Sequence, residues 1–276
     1  MKLDSSAARA KLQRAKRCTP ASIVVDPDLP HPQTPAILRR LLHAERMTLF
    51  PQWMQRPVDA ILAPMARSLG TSGVSPNAIT TVGTLVLVGS GVAFAGAGVR
   101  FGALLLLLSG VCDMLDGKVA RGNGLVTQFG AFYDSTLDRI GEGALFLGIA
   151  WYFVSGGVAG GLAPFAMAMT FIAAGAGLIV SYARARAEGV GLDCKVGIAQ
   201  RAERIVGLGG PTLFFGAGPR GYLLLTLVSA LAVLNVITVI QRIVHVYRIT
   251  REAGSEAPRR ATPALADPVG KGRRGH

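Results

Sequence analysis

The stretch Asp113-Met114-Leu115-Asp116-Gly117-Lys118-Val119-Ala120-Arg121 is followed, eight residues later, by Gly130-Ala131-Phe132-Tyr133-Asp134-Ser135-Thr136-Leu137-Asp138. Together they set four carboxylates, two glycines, an alanine and an arginine between long apolar runs. Carboxylates at membrane depth are costly to bury and mark function by default. Asp113 and Asp116 are three apart, and Asp134 and Asp138 four apart, so each pair shares one face of a helix. Two helices joined by a short loop bring both faces together as a cluster of four acids.

Outward from this stretch, half of the 276 residues are hydrophobic and only 16% are charged. That balance indicates a polytopic membrane protein. Six apolar runs approach the roughly 20 residues that cross a bilayer: 77–98, 101–121, 129–154, 161–186, 204–218 and 221–247. The fold class expected is all-α, with six transmembrane helices. Ser75-Pro76 forms the entrance to the first span, because Pro is tolerated at a helix start and Ser caps one. Residues 1–34 read as a disordered basic tail. Residues 35–74 mix leucines with arginines, Phe50 and Trp53, the pattern of an amphipathic helix on the membrane surface. The six-helix domain covers 75–248, and 249–276 is a second basic tail.

The net charge of +13 lies mostly outside the spans. In a membrane protein such charge sets topology and attracts anionic lipid. No interleaved aromatic motif supports a nucleic-acid partner. The turns near Arg100, 155–160 and 219–220 hold few charges, whereas Lys118–Thr127, Arg184–Arg204 and both termini hold most of the Lys and Arg. Positive charge marks the cytoplasmic side. Both termini and the acidic cluster are therefore expected there, in the cytoplasmic membrane. The three cysteines have no metal-ligand spacing, and Cys112 beside Asp113 reads as packing. The first residues lack the apolar centre of a cleavable signal.

Four close carboxylates repel unless something neutralises them. Oxygen-only ligands suit a hard divalent cation such as Mg²⁺. Such ions can bridge diphosphate oxygens and offset charge on a leaving phosphate. Arg121 stands at the mouth of the cluster with planar donors that suit phosphate. An acid not fully used by metal can take a proton from an attacking hydroxyl. Packing ion pairs and a cation transport path are the alternatives. No second acidic cluster lies toward the other membrane face, and no inverted repeat is apparent.

The eight positions match the signature D-x2-D-G-x2-A-R-x8-G-x3-D-x3-D at every place, so the chain resembles the CDP-alcohol phosphotransferase family over about Pro76–Arg248. The resemblance implies a six-helix homodimer that displaces CMP from a CDP-linked alcohol with a second alcohol. It implies that Asp113, Asp116, Asp134 and Asp138 hold two Mg²⁺ or Mn²⁺ ions, with Asp138 also the proton acceptor. Asp113, Gly117 and Arg121 would contact the CDP-lipid, together with Asn77, Ala78, Ile79 and Thr80 of the entrance motif and Thr127.

Downstream segments bear on the acceptor. Ser181–Glu188, Gln200–Arg204 and Gln241-Arg242 resemble the phosphatidylinositol-phosphate synthase branch, as does Arg139–Gly143. Arg184, Arg204 and Arg242 are then the candidates for binding a phosphate monoester. Arg184 stands where a lysine is usual, and 200–204 departs from an E-R-P-E-R-like run. Arg186, Arg201 and Arg248 read as topology residues. The resemblance implies CDP-diacylglycerol as donor and inositol 1-phosphate as acceptor. Glycerol 3-phosphate or another polar alcohol is the alternative, although the Asp-Pro usual in phosphatidylglycerol-phosphate synthases is Asp134-Ser135 here.

Overall fold

A computed structural model describes residues 52–194, 196–198 and 201–260, and only the backbone of 52–59 and 252–260. The basic tail expected over 1–34, the start of the 35–74 region, Gln200 and the end of the 249–276 tail lie outside the described residues. Those described fall in one compact unit, Glu45–His276. They form helices without a strand among them: α1 Gln52–Thr71, α2 Pro76–Ala95, α3 Val99–Gly122, α4 Gln128–Tyr152, α5 Ala163–Gly189, α6 Arg201–Phe215 and α7 Tyr222–Arg260. The expected apolar runs coincide with α2 to α7 to within a few residues at most ends. The exception is α7, which continues past the boundary expected at Arg248.

Local chemistry starts the helices that carry the site. Ser75 is extended (φ −71°, ψ 141°), and its Oγ accepts the Ala78 N–H at 3.3 Å, with Pro76 in the first turn of α2. Thr127 does the same for α4, accepting the Gly130 N–H at 2.9 Å. Each cap satisfies a donor the helix itself cannot.

α2 lies between α3 and α4, α6 packs on α3, and α5 pairs with α7. The α2–α4 contact is made by backbone. A β-carbon on Gly148 would overlap the Gly91 carbonyl, and one on Gly91 would overlap the Ala144 carbonyl. Small residues let membrane helices approach this closely. Ser90 Oγ donates to the Gly102 carbonyl at 2.7 Å and ties α2 to α3. Phe94, Leu106, Ile149, Phe153, Leu208, Leu224 and Val228 fill the core between the helices. A second cluster seats α1: Leu62 and Ala66 pack on Ile79, Leu115 and Val119 beside the acidic stretch.

Among the described residues three helical stretches are long and apolar enough to cross a membrane: Pro76–Ala95, Ala163–Gly189 and Pro219–Arg251. α3 and α4 carry the charges of the acidic stretch, and α6 has only 15 residues with Pro211 inside. At 1.5 Å per residue α6 spans about 22 Å, short of a hydrocarbon core of roughly 30 Å. All six helices nonetheless turn large apolar side chains outward, among them Leu85, Leu104, Leu147, Phe171, Phe214 and Ile240.

Candidate active site

Asp113 and Asp116 come from the last turns of α3, and Asp134 and Asp138 from the first half of α4. One oxygen from each of Asp113, Asp116 and Asp134 falls within 4.8 Å of the other two. Asp138 lines the same cleft, with Thr80, Gly83, Thr84 and Leu87 of α2, Ser109 of α3 and Arg201 of α6. The cleft together with its solvent-open mouth has roughly 230 Å³ of empty space. Thr80 is buried; its Oγ1 lies 2.7 Å from Asp116 Oδ2 and 3.1 Å from the Pro76 carbonyl. Asp116 Oδ2 therefore has a fixed neighbour.

The residues present fit a divalent cation. Three carboxylates converge, every donor is a hard oxygen, and Asp134 Oδ1 is buried without a hydrogen-bond partner. Carboxylate, carbonyl and water oxygens suit Mg²⁺ or Mn²⁺.

The cleft has cations that sequence reasoning did not assign to it. Arg201, read as a topology residue, places Nη1 on Asp113 and Nη2 on Asp138. Arg139 lies 3.5 Å from Asp138 and donates to Ser181 Oγ on α5. Glu142, one turn beyond Asp138, lies 3.4 Å from Arg139, 3.7 Å from Arg201 Nε and 3.0 Å from Arg204 Nη2. The signal that could have found Arg201 was the charge balance. Four acids in low dielectric need a cation, and Arg201 opens the helix that packs on α3.

The expected CDP-lipid residues divide. The Arg121 guanidinium folds over Gly117, where a β-carbon would stand 3.1 Å from it. Asn77 Oδ1 would lie 3.4 Å from a β-carbon on Gly130, so the starts of α2 and α4 adjoin. Ala78 is exposed there. Ile79 turns its side chain into the α1–α3 cluster, away from the cleft. Thr127 spends its hydroxyl on the α4 cap.

The three arginines expected for the acceptor lie close enough for Arg242 to feel both others electrostatically, but each has a protein partner. Arg184 is half exposed and pairs with Glu188 at 2.8 Å. Arg204 is buried against Glu142. Arg242 is buried and donates to the Val180 and Val196 carbonyls, the latter at 3.0 Å, which fastens α7 to the end of α5 and the segment after it.

Comparison with known proteins agrees with this geometry. The sequence profile described as CDP-alcohol phosphatidyltransferase matches residues 73–249. The archaetidylinositol phosphate synthase of Methanothermobacter thermautotrophicus is 39% identical over 62% of this chain and 82% of its own. The phosphatidylinositol phosphate synthase of Streptomyces avermitilis is 36% identical over 70% of this chain and 80% of its own. The crystal structure of Mycobacterium tuberculosis phosphatidylinositol phosphate synthase with CDP-DAG bound superposes with a TM-score of 0.60 at 30% identity, covering 77% of this chain and all of that one. The same enzyme in complex with manganese and citrate gives a TM-score of 0.60 at 31% identity, covering 76% of this chain and 96% of that one. The matched region holds all four aspartates of the cleft, and the chain belongs to the CDP-alcohol phosphatidyltransferase family.

Proposed function

We propose that this chain transfers the phosphatidyl group of CDP-diacylglycerol to a hydroxyl of inositol 1-phosphate and releases CMP. The observation that carries the reading is the convergence of Asp113, Asp116 and Asp134 within 4.8 Å, with Asp138 in the same cleft. The relatives named archaetidylinositol phosphate synthase and phosphatidylinositol phosphate synthase support an inositol phosphate as the acceptor.

Asp113, Asp116, Asp134 and Asp138 would hold two Mg²⁺ or Mn²⁺ ions. When bound, these supply positive charge for the donor diphosphate and for the leaving phosphate. The protein's own groups do the rest. Gly117 leaves room above α3, and the adjacent Arg121 offers planar donors to the diphosphate. Asn77 and Thr80, at the start of α2, border the donor site. Asp138 accepts the proton of the acceptor hydroxyl as its oxygen bonds to the phosphatidyl phosphorus. The bond from that phosphorus to the CMP oxygen breaks, and CMP leaves with the electron pair. An ion pair with Arg139 holds the Asp138 carboxylate in place. Arg184, Arg204 and Arg242 form the acceptor-phosphate pocket. For Arg204 this requires the phosphate to share or replace Glu142.

In this reading α2 to α7 are the six spans, and 35–74, with α1 at its end, lies on the membrane surface. Both termini and the cleft face the cytoplasm, and two copies of the chain form a homodimer.

The test is an assay of membranes holding the full chain, given CDP-diacylglycerol, radiolabelled inositol 1-phosphate and Mn²⁺ or Mg²⁺. Labelled lipid and CMP should form together. Asp138→Asn should lower turnover about 10²–10⁴-fold, the usual contribution of a positioned general base. Labelled lipid from glycerol 3-phosphate alone overturns the acceptor. Absence of CMP release with any phosphorylated polyol overturns the reaction.

A further inference from the structure

Arg201 occupies two of the acids that the proposed function gives to cations. Its Nη1 and Nη2 lie on Asp113 and Asp138. Its Nε is buried and has no hydrogen-bond partner, an arrangement that costs free energy. That nitrogen lies 3.7 Å from Glu142 Oε1, just beyond hydrogen-bond length. Glu142 is fixed from two other directions, by Arg139 at 3.4 Å and Arg204 at 3.0 Å. It also lines a second, partly open pocket with Leu87, Leu106, Arg204 and Leu208. That pocket and the carboxylate cleft share Leu87 and Arg201, so the guanidinium stands in the wall between them.

A cation bound among Asp113, Asp116 and Asp134 repels a guanidinium on Asp113. Arg201 must then give up that contact. It is largely buried, so release without another partner would leave a desolvated charge. The nearest acid on its other side is Glu142, and the idle Nε already faces it.

We propose that Glu142 is a positioning residue that receives Arg201 when a divalent cation takes the aspartates, so that Arg201 passes between two carboxylate sets. Glu142 touches neither the cation nor the reacting atoms. It sets the cation affinity by stabilising the displaced guanidinium, and keeps that charge beside Arg204 at the border of the acceptor pocket. This inference rests on the proposed cation site.

The experiment is Mn²⁺ binding to the purified full chain in detergent, without lipid substrate, followed by electron paramagnetic resonance of free Mn²⁺. Wild type, Glu142→Gln, Arg201→Gln and the double variant complete a mutant cycle. Glu142→Gln should weaken Mn²⁺ binding about tenfold in the wild-type background and less than about twofold in the Arg201→Gln background, a coupling within the range of contacting residues. Arg201→Gln should tighten binding, because a competitor is gone. Glu142→Asp, which keeps the charge, should stay within about threefold of wild type. An equal loss from Glu142→Gln in both backgrounds means simple through-space charge and overturns the proposal, as does no loss in either. If Glu142→Gln does not fold, Glu142→Asp and Arg201→Gln still decide: affinity unchanged in Arg201→Gln removes the competition on which the proposal depends. Wild type that binds no Mn²⁺ overturns the cation site itself, an outcome distinct from an uncoupled cycle.

Discussion

Thr80 shows how one hydroxyl prepares an acid. Its bond to Asp116 at 2.7 Å fixes which carboxylate oxygen turns toward α2 and leaves the other for the cleft. Partners that orient a metal ligand typically contribute 10–100-fold to metal affinity. Thr80→Val keeps the shape and removes the donor, so Mn²⁺ binding should weaken about 10–100-fold, whereas Thr80→Ser should retain it. Equal Mn²⁺ affinities for the Val and Ser variants would remove Thr80 from the site. The four aspartates were legible from the sequence because helical periodicity alone puts each pair on one face. Arg201, Arg139 and Glu142 were not, because their roles depend on which helices pack together. A cation near a membrane boundary reads as topology until its partner is known. Arg242 shows the converse. Its expected role is to bind a phosphate, and its Nε and Nη1 also reach the carbonyls of Val196 and Val180, partners that no periodicity announces.

At the scale of elements, the cleft needs α2 pressed against α3 and α4. Ser75 and Thr127 fix where α2 and α4 begin; the Ser75 cap is readable from residue type and position, whereas the expected role of Thr127 is to contact the CDP-lipid. The depth of the α2–α4 contact could not be, since many glycines occur in the apolar runs and only some meet a neighbour. Gly148 meets the Gly91 backbone, whereas Gly143, also in α4, has open space about it. The two should therefore respond oppositely to the same change. Gly148→Ala forces the helices apart and should destabilise by about 1–3 kcal/mol, the usual cost of overpacking. Gly143→Ala should be neutral or stabilising by up to ~1 kcal/mol through helix propensity. Thermal unfolding in detergent measures both, and a Gly148→Ala melting temperature at or above wild type would rule out the close crossing. The activity lost in Gly148→Ala should exceed that in Gly143→Ala, because α2 carries Thr80 and α4 carries Asp134 and Asp138.

For the whole molecule the question is which helices cross the bilayer. Among the described residues three are long and apolar enough to do so, whereas α3, α4 and α6 carry charges or are short. A charged window is poor grounds for excluding α3 and α4, since their acids turn inward to the cleft while Leu104 and Leu147 turn outward. Acids that face a bundle interior are how membrane helices carry chemistry. α7, with 39 residues, is about 58 Å long at 1.5 Å per residue, so it extends beyond a hydrocarbon core of roughly 30 Å. Arg242, Arg248 and Arg251 lie along its later part, on the same side as the cleft if α7 crosses once. The two ends of α5 then decide orientation. Ser155 lies in the sparsely charged turn before it, and Val190, exposed, caps its other end beside Arg184 and Arg186. In a background with Cys18, Cys112 and Cys194 replaced by Ser, an impermeant maleimide applied to intact cells should label Ser155→Cys and spare Val190→Cys. Inverted vesicles should give the reverse, as the excess of positive charge on the Val190 side requires. Labelling of both from one side would mean that α5 does not cross. The reverse pattern would put the carboxylate cleft on the outer face, away from a cytosolic source of CDP-linked donor.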